Sequence, residues 1–198
     1  MTTTMPKITR DTLMTLEAYA KARKDFRARV LAHKKPRNVA LGEHLTLLFE
    51  DELTIRYQVQ EMLRIEKTFE EAGIQDELDA YNPLVPDGSN FKATMLIEYA
   101  DETERREALA KLKGIEDRVW VRVEGCKKVY AIADEDLERE NEQKTSSVHF
   151  LRFELTKEMA DALRYGVSLA MGVDHPAYEA VLDPVPPATR EALVRDLA

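Results

Sequence analysis

The hydrophobic pattern of this chain changes its period at the loop Asn82–Asn90, and that change constrains the fold more than any other feature. Before the loop, apolar residues recur at helical spacing. After it, apolar and polar residues alternate from Phe91 to Tyr99, as they do in a half-buried strand. The loop itself is rich in Pro, Asp, Asn and Gly, which favour turns. The sequence therefore predicts helices that pack on a sheet beginning near residue 91.

Two long amphipathic helices are predicted before the loop. The first begins near residue 9 and ends at about residue 33, before Pro36, because proline interrupts helical hydrogen bonding. The second spans Asp51–Gly73, with the aspartate as its N-cap and the glycine as the residue that closes it. Between them, Leu45–Phe49 fits either a strand or a helical lead-in, because the run is too short to distinguish the two.

After the loop, the predicted order is strand, helix, strand, strand, charged segment and strand. The strands are residues 91–99, 118–124, 127–133 and 148–155, and the helix is residues 102–113. If the charged segment 134–144 is a helix rather than a surface loop, this is the order of a ferredoxin-like split βαβ unit. Further helices are predicted for residues 156–165, 175–182 and 188–197. We therefore predict an α+β fold with a mostly antiparallel sheet, long N-terminal helices and a C-terminal helical segment.

Composition and length indicate one compact unit. We expect a helical region at residues 1–90, a sheet core at 91–155 and a C-terminal helical extension at 156–198. The chain has 198 residues, 44% hydrophobic and 33% charged, which is typical of a soluble globular protein. It has no apolar run of the roughly 20 residues that span a bilayer, and no secretory signal. A single cysteine, Cys126, fits a reducing compartment, so we expect a cytoplasmic protein without membrane contact.

The charge is distributed unevenly along the chain. Residues 1–37 contain ten Lys or Arg and three acidic residues, whereas the net charge of the whole chain is −8. A basic segment of this kind binds nucleic acid in some proteins. In others it docks on its own acidic body or on a second subunit. We favour docking, because the acidic body would repel a polyanion, and we expect no nucleic-acid partner.

Four stretches of the sequence resemble a bacterial family known as domain of unknown function 3501. They are RYQVQEMLRIEKTFEEAGIQDELDAYNPLVPDGSNFKATMLIEY, GIEDRVWV, YAIADEDLERENEQKTSSVHFLRFEL and LAMGVDHPAY. The resemblance implies a bacterial protein whose family tends to be encoded near rubrerythrin-like and iron–sulfur redox proteins. This gene neighbourhood suggests a role in redox or peroxide-stress metabolism. It implies no catalytic residue.

Glu66 is the residue of the second helix that most needs explanation. It falls in the middle of the apolar stripe, where an unpaired carboxylate costs roughly several kcal/mol. We expect it to pair with Arg152 or Arg56 as a buried ion pair. A ligand-binding carboxylate and a metal ligand acting together with His44, His149 or His175 are the alternatives. The Glu-x-x-His spacing of ferritin-like di-iron sites is missing, so no metal and no cofactor are predicted.

Residues of the outer sheet face and of the loop complete the candidate site. If the strands form one sheet, its second face carries Leu96 together with the aromatic and arginine side chains of Trp120, Arg122, Tyr130, Phe150 and Arg152, and we expect the second helix to cover it. The candidate ligand-binding residues are Arg56, Gln60, Glu66, Asn82, Asp87, Asn90, Lys92 and Arg152.

Three functional hypotheses follow. Motifs of dinucleotide enzymes, P-loop NTPases, α/β-hydrolases, zincins and thioredoxin-like proteins are absent from the sequence. The leading hypothesis is therefore a cytosolic accessory or binding protein, linked to redox metabolism, that contacts a protein partner or a small ligand. The alternatives are an enzyme or metal-dependent protein centred on Glu66, Arg152 and the loop 82–90, and nucleic-acid binding through the basic segment. Whether the protein is a homodimer stays open.

Overall fold

The computed structural model describes residues 7–141 and 143–198. Six α-helices and nine β-strands lie within these residues. In chain order they are α1 (Leu16–Lys34), β1 (Asn38–Leu41), β2 (Leu45–Glu50), α2 (Glu52–Glu66), α3 (Glu71–Tyr81), β3 (Asn90–Ile97), α4 (Glu102–Lys111), β4 (Val119–Val123), β5 (Val129–Tyr130), β6 (Ile132–Ala133), β7 (Val148–Glu154), α5 (Lys157–Arg164), β8 (Leu169–His175), β9 (Tyr178–Leu182) and α6 (Pro187–Val194).

The strands form two antiparallel sheets. The first has the order β1-β2-β3-β7-β6, and the second has the order β5-β4-β8-β9. One hydrophobic core lies between them, with Phe49, Phe91 and Phe153 from the first sheet and Val121 and Met171 from the second. The α+β class with mostly antiparallel pairing is thus confirmed. The alternation predicted for the strand after the loop is also confirmed, since every second residue from Phe91 to Ile97 is buried.

The ferredoxin-like arrangement is wrong, because the predicted strands do not share one sheet. The chain leaves the second sheet after Tyr130 and joins the first at Ile132, so β5 pairs with β4 while β6 pairs with β7. Trp120 and Arg122 therefore lie on a different sheet from Phe150. Among the described residues of 134–147 no helix forms. Leu137, the single large apolar residue of this segment's charged part, is exposed, so a helix there would have no apolar face to bury.

The C-terminal region contains a β-hairpin where a helix was predicted. Within residues 175–182, His175 is the last residue of β8 and Tyr178–Leu182 form β9. The two strands pair antiparallel. The first five residues of β8 are all buried, so the strand lacks the alternation by which a half-buried strand is recognised. The Trp120 side chain lies over Gly172 and covers the outer face of this strand. Only α5 and α6 of the expected C-terminal helices form.

Helices α1, α2 and α3 form a separate layer with its own small apolar clusters. Ile55, Val59 and Leu63 of α2 pack with Ile74 and Leu78 of α3. Another cluster joins α1 to α2. Since these side chains pack mainly among the helices, they leave a gap between the helical layer and the outer face of the first sheet.

We expect Gly172→Ala to lower the free energy of unfolding by about 2–3 kcal/mol, because overpacking displaces a rigid neighbour. An added Cβ would lie 2.4 Å from Trp120 Cζ2 and 2.7 Å from the Ala180 carbonyl oxygen. Gly125→Ala in the β4–β5 turn is the matched control. An added Cβ at this position would meet no atom within 4 Å. The backbone strain of an alanine at φ of 82° is then the main cost, and it should lower the free energy of unfolding by about 1 kcal/mol. Urea denaturation of both variants tests this, and equal losses would contradict the packing argument.

Candidate functional site

The predicted helix Asp51–Gly73 is interrupted at its centre. Asp51 caps α2 as expected, accepting a hydrogen bond from the backbone N–H of Thr54. The helix then ends at Glu66, because Lys67 adopts a left-handed backbone with φ of 55°. Gly73 lies inside α3. The prediction of one continuous helix is therefore wrong. Phe69, an apolar residue that a continuous helix would pack against the core, is 74% exposed in the break.

Glu66 is exposed and does not form the buried ion pair with Arg152 that the sequence predicted. Arg152 instead binds Glu135 through two hydrogen bonds of 2.9 and 2.8 Å, and Glu154 through one of 2.5 Å. The apparent misfit of Glu66 in an apolar stripe disappears, because the residue occupies the final turn of α2, where the stripe leaves the core.

The gap between the helical layer and the first sheet is a cleft of about 610 Å³, which we call the interlayer cleft. Met62 of α2, Leu84 and Phe150 supply much of its apolar surface. A smaller recess of about 230 Å³ continues inward and shares four lining residues with the cleft, namely Glu50, Tyr81, Leu84 and Phe150. Both Glu66 and Arg152 line the cleft, so the structure brings them to one site without pairing them.

The floor of the interlayer cleft carries a row of charged residues across three strands. Strand register places Lys92 of β3 opposite Glu50 of β2 on one side and opposite Arg152 of β7 on the other. Glu50 is only 9% exposed and accepts hydrogen bonds from the hydroxyls of Thr54, at 2.5 Å, and Thr94, at 2.8 Å. The floor therefore presents a buried carboxylate beside two cationic side chains.

Lys92 is the most deeply placed cation of the cleft. Its ammonium donates a hydrogen bond to the carbonyl oxygen of Pro83. Burial lowers the pKa of Lys92, and the nearby carboxylates of Asp87, Glu135 and Glu154 oppose that change. Burial disfavours the charged form of an amine, whereas negative neighbours favour it. The positive charge of Lys92 is thus already partly balanced by neighbouring groups of the protein.

Carboxylates outnumber cations around the interlayer cleft. Asp136 is engaged by Arg139 and Asp79 by Gln75. By contrast, Glu66 and Glu77 have no hydrogen bond or ion pair with any described residue. Burial raises the pKa of Glu77, and the charge of Glu66 raises it further. One wall of the cleft therefore presents two carboxylates without a cationic partner.

Three of the predicted site residues hold the helical layer together. Arg56 pairs with Glu52 at 3.1 Å on the same helix. Gln60 is buried, and its side chain accepts a 2.7 Å hydrogen bond from the backbone N–H of Met14. Asn82 makes two 2.9 Å hydrogen bonds to the backbone of Ile8. These contacts explain why polar residues occur at these positions without a ligand.

Asp87 and Asn90 shape the loop that borders the cleft. Asp87 Oδ1 accepts hydrogen bonds from the backbone N–H and the hydroxyl of Ser89, at 2.9 and 2.8 Å. Asn90 is buried and donates to Glu154 at 3.2 Å. Of the eight predicted residues, only Glu66, Lys92 and Arg152 line the interlayer cleft.

Several residues of the cleft were missed by the sequence analysis. Glu50 and Glu77 carry its chemistry, yet one immediately precedes a helix cap and the other lies among other acidic residues of α3. Neither position has a local signal. Phe150 was placed correctly on the outer face of its strand by the alternation of Val148–Leu155, and Met62 lines the cleft from the helix expected there. The contributions of Tyr81 and Leu84 were not predictable.

The basic N-terminal segment docks in part on the acidic body. Arg23 of α1 forms two hydrogen bonds with Glu61 of α2, at 2.8 and 2.9 Å, and the hydroxyl of Tyr19 donates to the same carboxylate at 2.7 Å. Hydrogen bonding by Arg23 is the main reason that the pKa of Glu61 falls to about 2. Arg37 is buried and binds Asp196 near the other end of the chain. No helix among the described residues is long and apolar enough to cross a membrane.

Comparison with known proteins identifies the family. Residues 7–197 match the model of the family described as Protein of unknown function (DUF3501), and the chain belongs to that family. A crystal structure of a novel protein of unknown function from Burkholderia pseudomallei K96243 is similar to it, with 60% sequence identity and a TM-score of 0.93. The similarity covers 98% of this chain and 100% of the other. A search of curated proteins gave no match.

The two glutamates of α2 should differ in their effect on stability. We expect Glu66→Gln to change the free energy of unfolding by less than about 0.5 kcal/mol, because an exposed carboxylate without a partner contributes little. Glu61→Gln should lower it by about 1 kcal/mol at pH 7, because the buried Tyr19 hydroxyl and two arginines lose a charged acceptor.

The effect of Glu61→Gln should also depend on pH. The pKa of Glu61 is lowered in the folded protein, so its stabilisation is complete above the unfolded value of about 4.3 and is lost as the pH falls toward about 2. Urea denaturation at pH 7 and pH 3 measures this. A difference from wild type that does not shrink at pH 3 would contradict the assignment.

Proposed function

We propose that this member of the family is a binding protein whose interlayer cleft takes a small organic cation with an apolar body. One observation carries the proposal: unpaired Glu66 and Glu77 stand beside the apolar wall of a cleft of about 610 Å³. Small-molecule sites commonly have volumes of about 300–1,000 Å³, with mostly apolar walls and a few polar groups that orient the ligand.

The apolar side chains define where the body of the ligand would lie. Met62 and Leu84 approach from the helical side, and Phe150 projects from β7. An aromatic ring in such a position offers stacking or edge contacts to an apolar ligand. Met62 adds a flexible, polarisable side chain that adapts to ligand shape. Binding an apolar group here would remove these side chains from water.

The charges of the cleft favour a positive ligand group. Glu135 and Glu154 already neutralise Arg152, and the Pro83 carbonyl oxygen holds Lys92. An anionic ligand would compete with these existing contacts. An ammonium group near Glu66 and Glu77 would instead gain Coulomb energy without breaking an ion pair. Charge therefore supports an organic cation rather than an organic anion.

An enzyme that uses the same cleft is the second candidate. The half-buried Lys92, whose pKa is lowered, favours it, because an amine with a lowered pKa is a better nucleophile. The link to redox metabolism, the cytoplasmic location and a homodimer stay predictions. Nucleic-acid binding is the least favoured alternative, because the basic segment already contributes Arg23 and Arg37 to internal ion pairs.

Three probes of equal size and different charge test the proposal. We expect the full chain to bind 2-phenylethylamine, whereas 2-phenylethanol should bind more weakly and phenylacetate should not bind measurably. Two-dimensional ¹H–¹⁵N NMR reports which backbone amides respond, and those of residues 62–66, 77–82, 84 and 150–152 should shift together. Equal or tighter binding of phenylacetate would refute the cationic preference. If no probe shifts these amides, the binding proposal itself fails.

Variants then separate the contribution of charge to binding from that of apolar contact. The double substitution Glu66→Gln, Glu77→Gln should weaken 2-phenylethylamine binding about tenfold, which corresponds to about 1.4 kcal/mol. Glu158→Gln on α5 removes an exposed carboxylate that does not line the cleft, and it should leave the dissociation constant unchanged. Phe150→Ala should weaken the amine and the alcohol alike. An equal effect of Glu158→Gln would indicate that only net charge matters.

A further inference from the structure

A second cluster of ionisable residues lies away from the interlayer cleft and is more deeply buried. His149 of β7 is 0% exposed, and Glu116, in the turn before β4, is 8% exposed. Asp134, at the end of β6, completes the cluster. One ligand-type atom from each residue lies within 4.8 Å of the others. Asp134 pairs with Arg139 at 3.2 Å, whereas the nearest basic group to the Glu116 carboxylate among the described residues is the His149 ring, at 4.0 Å. A buried carboxylate without a close partner is costly.

Asp134 fixes the orientation of the histidine ring. Its Oδ2 lies 2.6 Å from Nδ1 of His149, and its Oδ1 accepts a hydrogen bond from the backbone N–H of Phe150 at 2.9 Å. An ionised carboxylate only accepts, so Nδ1 donates its proton to Asp134. In the neutral ring Nε2 then carries the lone pair that a metal would bind. Histidine ligands of metals commonly have this arrangement, in which the distal nitrogen is held by a carboxylate.

Oxygen atoms surround Nε2 of His149 within hydrogen-bonding range, and their distances would also suit a metal. Nε2 lies 3.0 Å from Thr145 Oγ1, 3.0 Å from the carbonyl oxygen of Ser146 and 4.0 Å from Glu116 Oε2. Thr145 Oγ1 and Glu116 Oε2 are 3.5 Å apart. Metal–ligand bonds of about 2.1 Å place adjacent ligand atoms about 3.0 Å apart and opposite atoms about 4.2 Å apart. These four distances therefore fall in the range expected for ligand atoms around one small cation.

Glu116 shows why a proton alone does not satisfy the cluster. A proton on Nε2 would serve the Ser146 carbonyl oxygen, but it would leave the carboxylate of Glu116 4.0 Å from the ring nitrogen, with a single long side-chain hydrogen bond, from Thr145 at 3.5 Å. A divalent cation would satisfy the carboxylate, the carbonyl oxygen and the imidazole together.

An acidic recess of about 340 Å³ leads to the cluster from the surface. Glu116 and Asp134 line it together with Asp117, Glu138 and Glu140, while Arg139 is its single cation. Such a recess raises the local concentration of cations and offers an entry path. It is an observation independent of the ligand geometry.

We propose that this cluster is a site for a first-row divalent transition-metal ion, bound by His149 Nε2, the Glu116 carboxylate, Thr145 Oγ1 and the Ser146 carbonyl oxygen. Imidazole with oxygen ligands and no thiolate suits Mn²⁺, Fe²⁺ or Zn²⁺, and the imidazole disfavours Mg²⁺ and Ca²⁺. The ion would tie the segment 134–147 to β7. Glu135 and Asp136, which follow the orienting aspartate, line the interlayer cleft.

Manganese binding by the chelator-treated full chain tests the site. We expect one Mn²⁺ per chain by electron paramagnetic resonance of the free ion, with no comparable competition from Mg²⁺. Electron spin-echo envelope modulation of the bound ion should show coupling to one imidazole nitrogen. Absence of saturable binding, or a bound ion without nitrogen coupling, would overturn the proposal.

Glu116→Gln and Glu138→Gln form a matched pair for this experiment. Both remove one charge from the recess, but only Glu116 belongs to the ligand set. We expect Glu116→Gln to weaken Mn²⁺ binding at least tenfold and Glu138→Gln to change it less than twofold. Equal weakening would show a diffuse acidic attraction and refute the site.

Folding of the variants is checked by circular dichroism and thermal unfolding. Glu116→Gln removes a buried charge, so without metal it should unfold at the same temperature as wild type or higher, while losing the rise in Tm that Mn²⁺ causes. If that variant does not fold, Thr145→Val takes its place and should likewise lose affinity. Unchanged Mn²⁺ binding by the folded variant would contradict the ligand assignment.

Discussion

The pairing of β3 with β2 on one side and β7 on the other is the constraint on which the rest of the structure depends. It places Lys92 between Glu50 and Arg152 on the outer face and Phe91 and Ala93 in the core. A shift of one residue would exchange the faces, burying an ammonium and exposing a phenyl ring. Apolar burial and charge placement therefore select the same register, and the floor of the interlayer cleft follows from it.

The charged segment after β6 is held by side chains rather than by helical hydrogen bonds. Asp134 adopts a left-handed backbone with φ of 48° and bonds both the His149 ring and the backbone of Phe150. Farther along, Arg139 lies 4.6 Å from the centre of the Phe150 ring and pairs with Asp136. These contacts turn one side of the segment toward the buried cluster and the other toward the cleft, so the two candidate sites share a wall.

Tertiary ion pairs join some basic residues of the N-terminal segment to acidic residues elsewhere in the chain. Arg37, from the basic N-terminal segment, forms a buried ion pair with Asp196, while Asp51 lies 3.0 Å away. Removing either partner of such a pair would leave an uncompensated buried charge, which is strongly destabilising. The contact ties the end of α1 to the C-terminus. Among the carboxylates that line the interlayer cleft, Glu66 and Glu77 have no hydrogen bond or ion pair with any described residue.

Local patterns determined the α+β class, the strand after the loop and the helix cap at Asp51, because these depend on residues within a few positions of one another. Only the tertiary structure decided the division into two sheets, the break after Glu66 and the partners of Arg152. Each of these depends on groups far apart in the chain, such as Glu135, whose carboxylate reaches Arg152 across 17 positions. A stripe of apolar residues predicts that a helix is covered, but the covering residues and the unfilled space between layers arise from packing of the whole chain.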